Sequence, residues 1–305
     1  TLIYNMTSNI DAILIDVQDI GSRNSIYLSC LVKVLSNEKL KGLEVIILDR
    51  PNPLGGQIIE GPILDSLYKK VDMLPIPNRH GLTVGELFYM AIHKKMLVNH
   101  PAKIVIIKMD GWERQMFYSD TKLPWIFSSL GYPDIETILL KVGLELFEGL
   151  NLSNGTGTYK RYKQMGAPWM SFEVAKDLKE QEFSGVNFKY VKFTPDKGLN
   201  KNEKTLFDNK LCIGHRFEIE SVRDIRAMDL SIFSLYFVIG LHIESLRINN
   251  LILNEKFGNE MLSDFLNGKL YDSNRKSIST PEAFLNIIRK DHERFIGASQ
   301  AYNLY

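Results

Sequence analysis

The sequence predicts an α/β protein: one domain on a mostly parallel sheet, then a smaller α+β domain. Three observations carry this. Val45 to Leu48 is a continuous apolar run that stops abruptly at Asp49 and Arg50, the pattern of a strand buried on both faces. A second such run, Ile10 to Val17, precedes it, with Ser25 to Leu35 between them apolar at helical spacing. Beyond Gly166-Ala-Pro-Trp169 the pattern shifts to alternating strands and long helical stretches, which sets the domains at residues 1–166 and 167–305.

Strand, helix, strand is a βαβ unit, so its two strands are expected parallel with a right-handed crossover. The first strand delivers Asp16, Gln18 and Asp19, followed by Gly21 and Arg23; the second delivers Asp49, Arg50 and Asn52. Both sets then fall at the carboxyl edge of the sheet, where open α/β folds bind ligands. Pro51 and Pro53 stiffen the second loop, which continues through Gly55-Gly56 to Glu60-Gly-Pro62. The competing reading is a set of caps and ion pairs at strand ends.

Asn78-Arg79-His80-Gly81 precedes Thr83 and Glu86, a capping box that starts a helix running to about Leu97. Arg79 and His80 thus lie just ahead of a helix N-terminus, a position that favours anions. They could equally be structural, and Glu86 is accounted for as a cap. Lys103 to Met109 is a third strand. Trp112 to Tyr132 is rich in aromatics (Trp112, Phe117, Tyr118, Trp125, Phe127, Tyr132), suited either to stacking on sugar rings or to pinning a loop on the core. Asp134 to Leu146 is a helix. It is followed by Phe147-Glu148-Gly149-Leu-Asn151 and the loop Ser153-Asn-Gly-Thr-Gly-Thr158, which lacks the lysine and the setting of a phosphate loop. Ser171 to Lys179 is helical, Val186 to Thr194 and Cys212 to Val222 alternate as strands, and Asp196 to Lys210 is a polar loop. Met228 to Leu246, Lys256 to Leu266 and Pro281 to about Phe295 are helices, the first buried and amphipathic.

The 305 residues carry a formal net charge of +1, with 45% hydrophobic and 24% charged residues. No overall field draws such a chain to nucleic acid or to an anionic membrane. No run of about 18 apolar residues is present to span a bilayer. Cys30 and Cys212 lie far apart with no metal-ligand spacing, and are expected as two buried thiols, a single disulfide remaining open. No glycine-rich dinucleotide fingerprint follows a strand, so a nucleotide-binding reading is disfavoured and no cofactor or metal is expected.

Six ordered motifs resemble one family. They are Asp16-Val-Gln-Asp-Ile-Gly-Ser-Arg23, Leu48-Asp-Arg-Pro-Asn-Pro-Leu-Gly-Gly56, Glu60-Gly-Pro62, Arg79-His-Gly-Leu-Thr-Val-Gly-Glu86, Phe147-Glu-Gly-Leu-Asn151 and Gly166-Ala-Pro-Trp169. Together with the closing Ala301-Tyr-Asn-Leu-Tyr305 they look like the NamZ-type exo-β-N-acetylmuramidases. The resemblance implies a Rossmann-like first domain and a cleft between the domains. It also implies release of terminal N-acetylmuramic acid from peptidoglycan fragments by a secreted or periplasmic bacterial enzyme.

Family members carry an earlier Pro-Glu-His-Gly segment with the favoured catalytic acid, and this chain starts beyond it. Their glycine loop reads Ser-Glu-Gly-Arg-Gly-Thr, an acid and a cation that Asn154 and Thr156 replace here. The aromatic run usual after the first Arg is Asn24-Ser25-Ile26-Tyr27 here. Impaired activity is therefore expected, and the alternative is a non-catalytic cell-wall sugar-binding relative.

Glycoside hydrolysis normally needs two carboxyl groups about 5 to 9.5 Å apart. The candidates are Asp16, Asp49, Glu60 and Glu148, with Asp19 able to serve either as an acid or as a sugar ligand. Arg50, Arg79 and His80 are the candidate partners of a sugar carboxylate, and Arg23 is a further substrate-binding candidate. Gln18, Asn52 and Asn151 are the candidates for reading hydroxyls or the N-acetyl group. The expected partner is a peptidoglycan-derived sugar, and the oligomeric state is left open.

Overall fold

Three apolar pentads and tetrads rich in β-branched residues pair side by side: β1 (Ala12–Ile15), β2 (Glu44–Leu48) and β3 (Lys103–Ile107). The pairing is parallel throughout, in the order β1-β2-β3, with Ile13 opposite Val45 and Ile47 opposite Ile106. The computed structural model describes residues 10–38, 43–70, 72–97, 99, 103–126, 132–199 and 204–305. By its contacts the chain forms two compact units, residues 1–125 with 289–305, and residues 126–288.

In the first unit, helix α1 (Ile26–Leu35) joins β1 to β2, and helix α2 (Val84–His93) lies between β2 and β3. Val45 and Ile47 of β2 are buried with Leu28, Val32 and Leu35 of α1 and Leu87, Phe88 and Ala91 of α2. Each such side chain contributes about 1.5–3 kcal/mol when taken out of water. The α/β architecture and the parallel βαβ pairing are those the sequence predicted. The expectation of a second fully buried strand is corrected: among the described residues β1 is an outer strand, with Leu14 61% exposed. Helix α2 opens on a complete Thr83–Glu86 capping box, as its spacing predicted. It ends at His93 rather than near Leu97, because Lys95 turns into the left-handed region at φ 53°.

The second unit is α+β. Strands β4 (Gln164–Ala167), β5 (Val186–Phe193) and β6 (Cys212–Ile219) form an antiparallel sheet in the order β4-β6-β5. The composition shift after Trp169 does not coincide with the division of the chain, because β4 pairs with β6 and so belongs to this sheet. Around it lie α3 (Ile135–Leu144), α4 (Glu173–Lys179), α5 (Ala227–His242), α6 (Asn250–Phe257) and α7 (Met261–Leu266). Helix α8 (Pro281–Ser299) begins here, and its residues from Arg289 count with the first unit.

Asp134 caps α3 through Thr137 N–H at 2.8 Å, and the helix tightens into a 3₁₀ turn over Glu145–Gly149. The single helix expected over Lys256 to Leu266 is two, since Gly258 closes α6 at φ 114°. Helix α5 is not amphipathic as expected. Every residue from Leu230 to Leu235 is buried, and exposure appears only beyond, at Tyr236 and Leu241. No helix among the described residues is long and apolar enough to cross a membrane. Cys30 and Cys212 are free thiols; Cys212 is buried as expected, whereas Cys30 is exposed.

Helices α3 and α5 approach closely at Gly143, where an added Cβ would collide with the Ala227 carbonyl and the Ser231 hydroxyl. Gly143→Ala is expected to destabilise the chain by about 1–3 kcal/mol in denaturant unfolding, the cost of overpacking.

Burial pushes the imidazoles of His80 and His215 down to about 3, His80 being further depressed by the Arg23 charge. Unfolding returns each toward 6.5, so the unfolded chain takes up protons that the folded chain refuses. Their stability contribution is therefore whole above pH 6.5 and falls as pH drops toward 3, by up to about 1.4 kcal/mol per pH unit for each ring. Thermal unfolding across this range should steepen accordingly. His215→Phe, placed between Phe188 and Phe217, should flatten the dependence whatever it does to stability at pH 7.

Candidate functional site

Asp49 leaves the end of β2 and meets the start of α2. Its Oδ1 accepts from Gly85 N–H at 2.8 Å and Arg50 N–H at 3.1 Å. Its Oδ2 accepts from the Thr83 hydroxyl at 2.6 Å and the Tyr305 hydroxyl at 2.8 Å. Position 85 needs glycine, since a Cβ would stand 2.7 Å from that carboxylate. Burial raises the Asp49 carboxyl above its ordinary value, and the four donors offset this only in part. Tyr305 is fixed in turn by Met109 N–H at 3.0 Å and by the edge of Trp112, ring centroids 5.2 Å apart.

Asp16, just past β1, pairs bidentately with Arg50 at 2.5 and 3.0 Å. The side chains are 45% and 37% exposed. Hydrogen bonding from Arg50 holds the Asp16 carboxyl below its ordinary value against a small burial penalty. A cavity of about 630 Å³ opens here, lined by Asp16, Asp49, Arg50, Asp110, Trp112 and Asp120 among others. The βαβ geometry thus brings three of the sequence candidates to one rim, and leaves two carboxyls with pKa values moved in opposite directions.

Of the other candidates in this unit, Asp19, Arg23, Asn52, Glu60, Arg79 and His80 are buried and Gln18 is half-buried. Arg79 and Glu60 form a buried ion pair at 2.9 Å, 0% and 2% exposed. Arg79 also donates to the Leu54 carbonyl and sits 5.6 Å from the Phe117 ring centre. Arg23 donates to the carbonyls of Pro62 and Ile76, and Asn52 to that of Leu82. Asp19 accepts from Gly21 N–H and the Ser25 hydroxyl at the start of α1. Gln18 donates to the Pro51 carbonyl, and His80 Nδ1 accepts from Leu82 N–H. Through these bonds the side chains tie the loops to one another. Glu86 does more than cap its helix: it also takes Arg114 at 2.7 Å and Leu304 N–H at 2.8 Å. Of the aromatic run, Trp112, Phe117 and Tyr118 are buried and Trp112 also lines the cavity, while Phe127 lies outside the described residues.

In the second unit, Glu148 pairs with Lys256 at 2.7 Å and accepts from the Tyr162 hydroxyl at 3.0 Å. Burial raises its carboxyl, but the charges of Lys256 and Lys141 more than reverse this and hold it below the ordinary range. It lines a separate cavity of about 320 Å³ with Ser153, Asn154, Thr156, Arg161 and Lys204. Asn151 donates to the Ser245 carbonyl at 3.0 Å and accepts from Arg247 N–H at 2.7 Å. The partners Thr83, Tyr305, Tyr162 and Lys256 escaped the sequence. Thr83 stood in view as a cap, but the others lie 14 to 256 positions from the carboxylates they hold, and no local spacing records such a pairing.

A family model for the N-terminal part of exo-beta-N-acetylmuramidase NamZ matches residues 3–136, and one for its C-terminal part matches residues 140–305. Over 234 residues the chain is 35% identical to the peptidoglycan beta-N-acetylmuramidase NamZ of Bacillus subtilis (strain 168), covering 76% of this chain. It spans 55% of that enzyme's length. A crystal structure of a DUF1343 family protein from Bacteroides fragilis NCTC 9343 superposes with a TM-score of 0.83 at 26% identity, covering 99% of this chain and 76% of that one. A second from the same organism, at 24% identity and a TM-score of 0.73, covers 99% and 77% and shows the same fold. Matched along nearly its whole length, the chain belongs to the NamZ family of peptidoglycan β-N-acetylmuramidases.

Proposed function

We propose that the protein releases N-acetylmuramic acid from the non-reducing end of peptidoglycan fragments, acting outside the cytoplasm where that polymer lies. One observation carries the reading: Asp16 and Asp49 open on one cavity with pKa values driven apart. Such divergence is what separates a carboxylate from a carboxylic acid at one pH. Asp16, held ionised by Arg50, supplies the negative charge that faces an oxocarbenium-like transition state. Asp49, raised by burial, lines the same cavity and is the candidate acid toward the departing glycosidic oxygen; when it takes a proton, the Thr83 or Tyr305 hydroxyl at Oδ2 turns from donor to acceptor. Family membership and the 35% identity to a peptidoglycan β-N-acetylmuramidase support the substrate class.

A second reading has its own observation. Asp16, Asp49, Glu60 and Glu148 are each engaged by a cation or by several donors. A protein whose carboxyls are all so engaged fits a non-catalytic sugar-binding relative, the alternative raised by the sequence.

Turnover of a chromogenic N-acetylmuramide separates the two. Catalysis is expected, with a bell-shaped pH profile: the rate falls at low pH as Asp16 protonates and at high pH as Asp49 ionises. Asp16→Asn should lower kcat by roughly 10²–10⁴-fold, the usual worth of a positioned acid–base group. Asp49→Asn should abolish the alkaline limb. Measurable binding without turnover in the unmodified protein would establish the second reading, and full activity in both variants would remove these residues from the chemistry.

A further inference from the structure

Helix α5 stays apolar past the point where the second unit covers it. Leu230 to Leu235 are buried, but Tyr236, Phe237, Ile239 and Leu241 continue the apolar run. Of these, Tyr236 and Leu241 are 38% and 45% exposed. All four line a cavity of about 470 Å³, to which α7 adds Phe265 and Leu266 and the segment ahead of α8 adds Ile278. Ligand sites run from about 300 to 1,000 Å³, so this one holds a small molecule. Its aromatic wall is supported from behind. Tyr236 lies nearly parallel to Phe265, ring centroids 6.4 Å apart, and Phe265 stacks at 4.6 Å on the buried Phe284.

Gly240, on the same helix and in the same wall, is a second sign. Inside a helix glycine costs stability relative to alanine. At Gly143 a Cβ would strike the neighbouring helix, but at Gly240 it would meet nothing within 4 Å. Packing within the chain therefore does not call for glycine there, and the space it leaves belongs to the cavity.

A single charged residue lines the cavity. It is Asp177 of α4, half-buried, and its carboxylate has no protein partner among the described residues. The bond from Gln181 goes to its backbone carbonyl instead. An apolar wall beside one unneutralised negative charge selects an apolar molecule that carries one positive charge. Removal from water favours the body, the carboxylate takes the head, and an aromatic face adds to the attraction of a cation.

We propose that this cavity binds a small organic cation, an apolar body bearing one primary ammonium, with Asp177 as counter-ion and Tyr236, Phe265 and Ile278 against the body. The proposal stands apart from the muramidase reading, since it uses no residue of the Asp16–Asp49 rim.

Titration calorimetry of the full chain with tryptamine, an ammonium at neutral pH, and with tryptophol, its uncharged alcohol counterpart, tests it. Tryptamine is expected to bind at least about 5-fold more tightly, short of the full worth of a charged hydrogen bond because Asp177 is only half-buried. Asp177→Asn should bring the two to equal affinity by weakening tryptamine alone. Gly240→Met, which sets a side chain into open space, should remove both while thermal unfolding shows the fold retained. Asp177 is partly accessible, so its variant reports even if Gly240→Met unfolds. Equal binding of the two probes by the unmodified chain, or a preference that survives Asp177→Asn, overturns the proposal. Binding that survives Gly240→Met puts the probes elsewhere and overturns the cavity, as does no binding at all. A concentration-dependent dimer that Gly240→Met disperses in sedimentation assigns the face to a second copy, which also overturns it.

Discussion

A single carboxylate, that of Asp49, holds the first unit's site together. It receives the end of β2, the first turn of α2 and the phenol of Tyr305, three segments separated by up to 256 positions. The exposed N–H groups of a helix's first turn favour a negative charge, so α2 and Asp49 stabilise each other. Gly85 is the steric condition of that meeting. What makes Asp49 a structural hub also gives it unusual chemistry, because burial that deep raises its affinity for a proton.

Around this hub the loops are stiffened by groups that would be costly if unpaired. The Glu60–Arg79 pair is almost wholly out of water, and desolvating two charges costs several kcal/mol per ion before their attraction is counted. Removing one partner alone would leave the other charge stranded. Such a pair is weak evidence of net stability, but it defines one arrangement of the chain. Arg79 also bridges Glu60 through both backbone groups, N–H and carbonyl, at 3.0 and 3.1 Å. The Asp16–Arg50 pair, by contrast, stays half in solvent.

Much of the first unit was legible. Apolar runs ending in charged residues located β2 and β3, helical spacing located α1, and the Thr83–Glu86 spacing located the start of α2. Rim membership was legible for Asp16, Asp49 and Arg50, because strand direction alone determines which end of a parallel sheet their loops reach. The depth of Arg79, Glu60 and His80 was not legible, since a charged loop residue reads the same whether it faces solvent or an opposite charge in the interior. Asp49's own partner Tyr305 was invisible for a different reason: nothing in a sequence ties residue 49 to residue 305. In the second unit, β4 was missed because a four-residue strand containing glycine has too little pattern to announce itself.

The first unit is discontinuous: Phe295 packs in the core with Leu87 and Phe88, although residues 126–288 intervene. During translation at about 5–20 residues per second, roughly eight to thirty-three seconds separate the emergence of its two pieces. The second unit's contacts are all available earlier. The three strands thus emerge well before Phe295 does, and until helix α8 is made the core around Leu87 and Phe88 lacks one of its apolar partners.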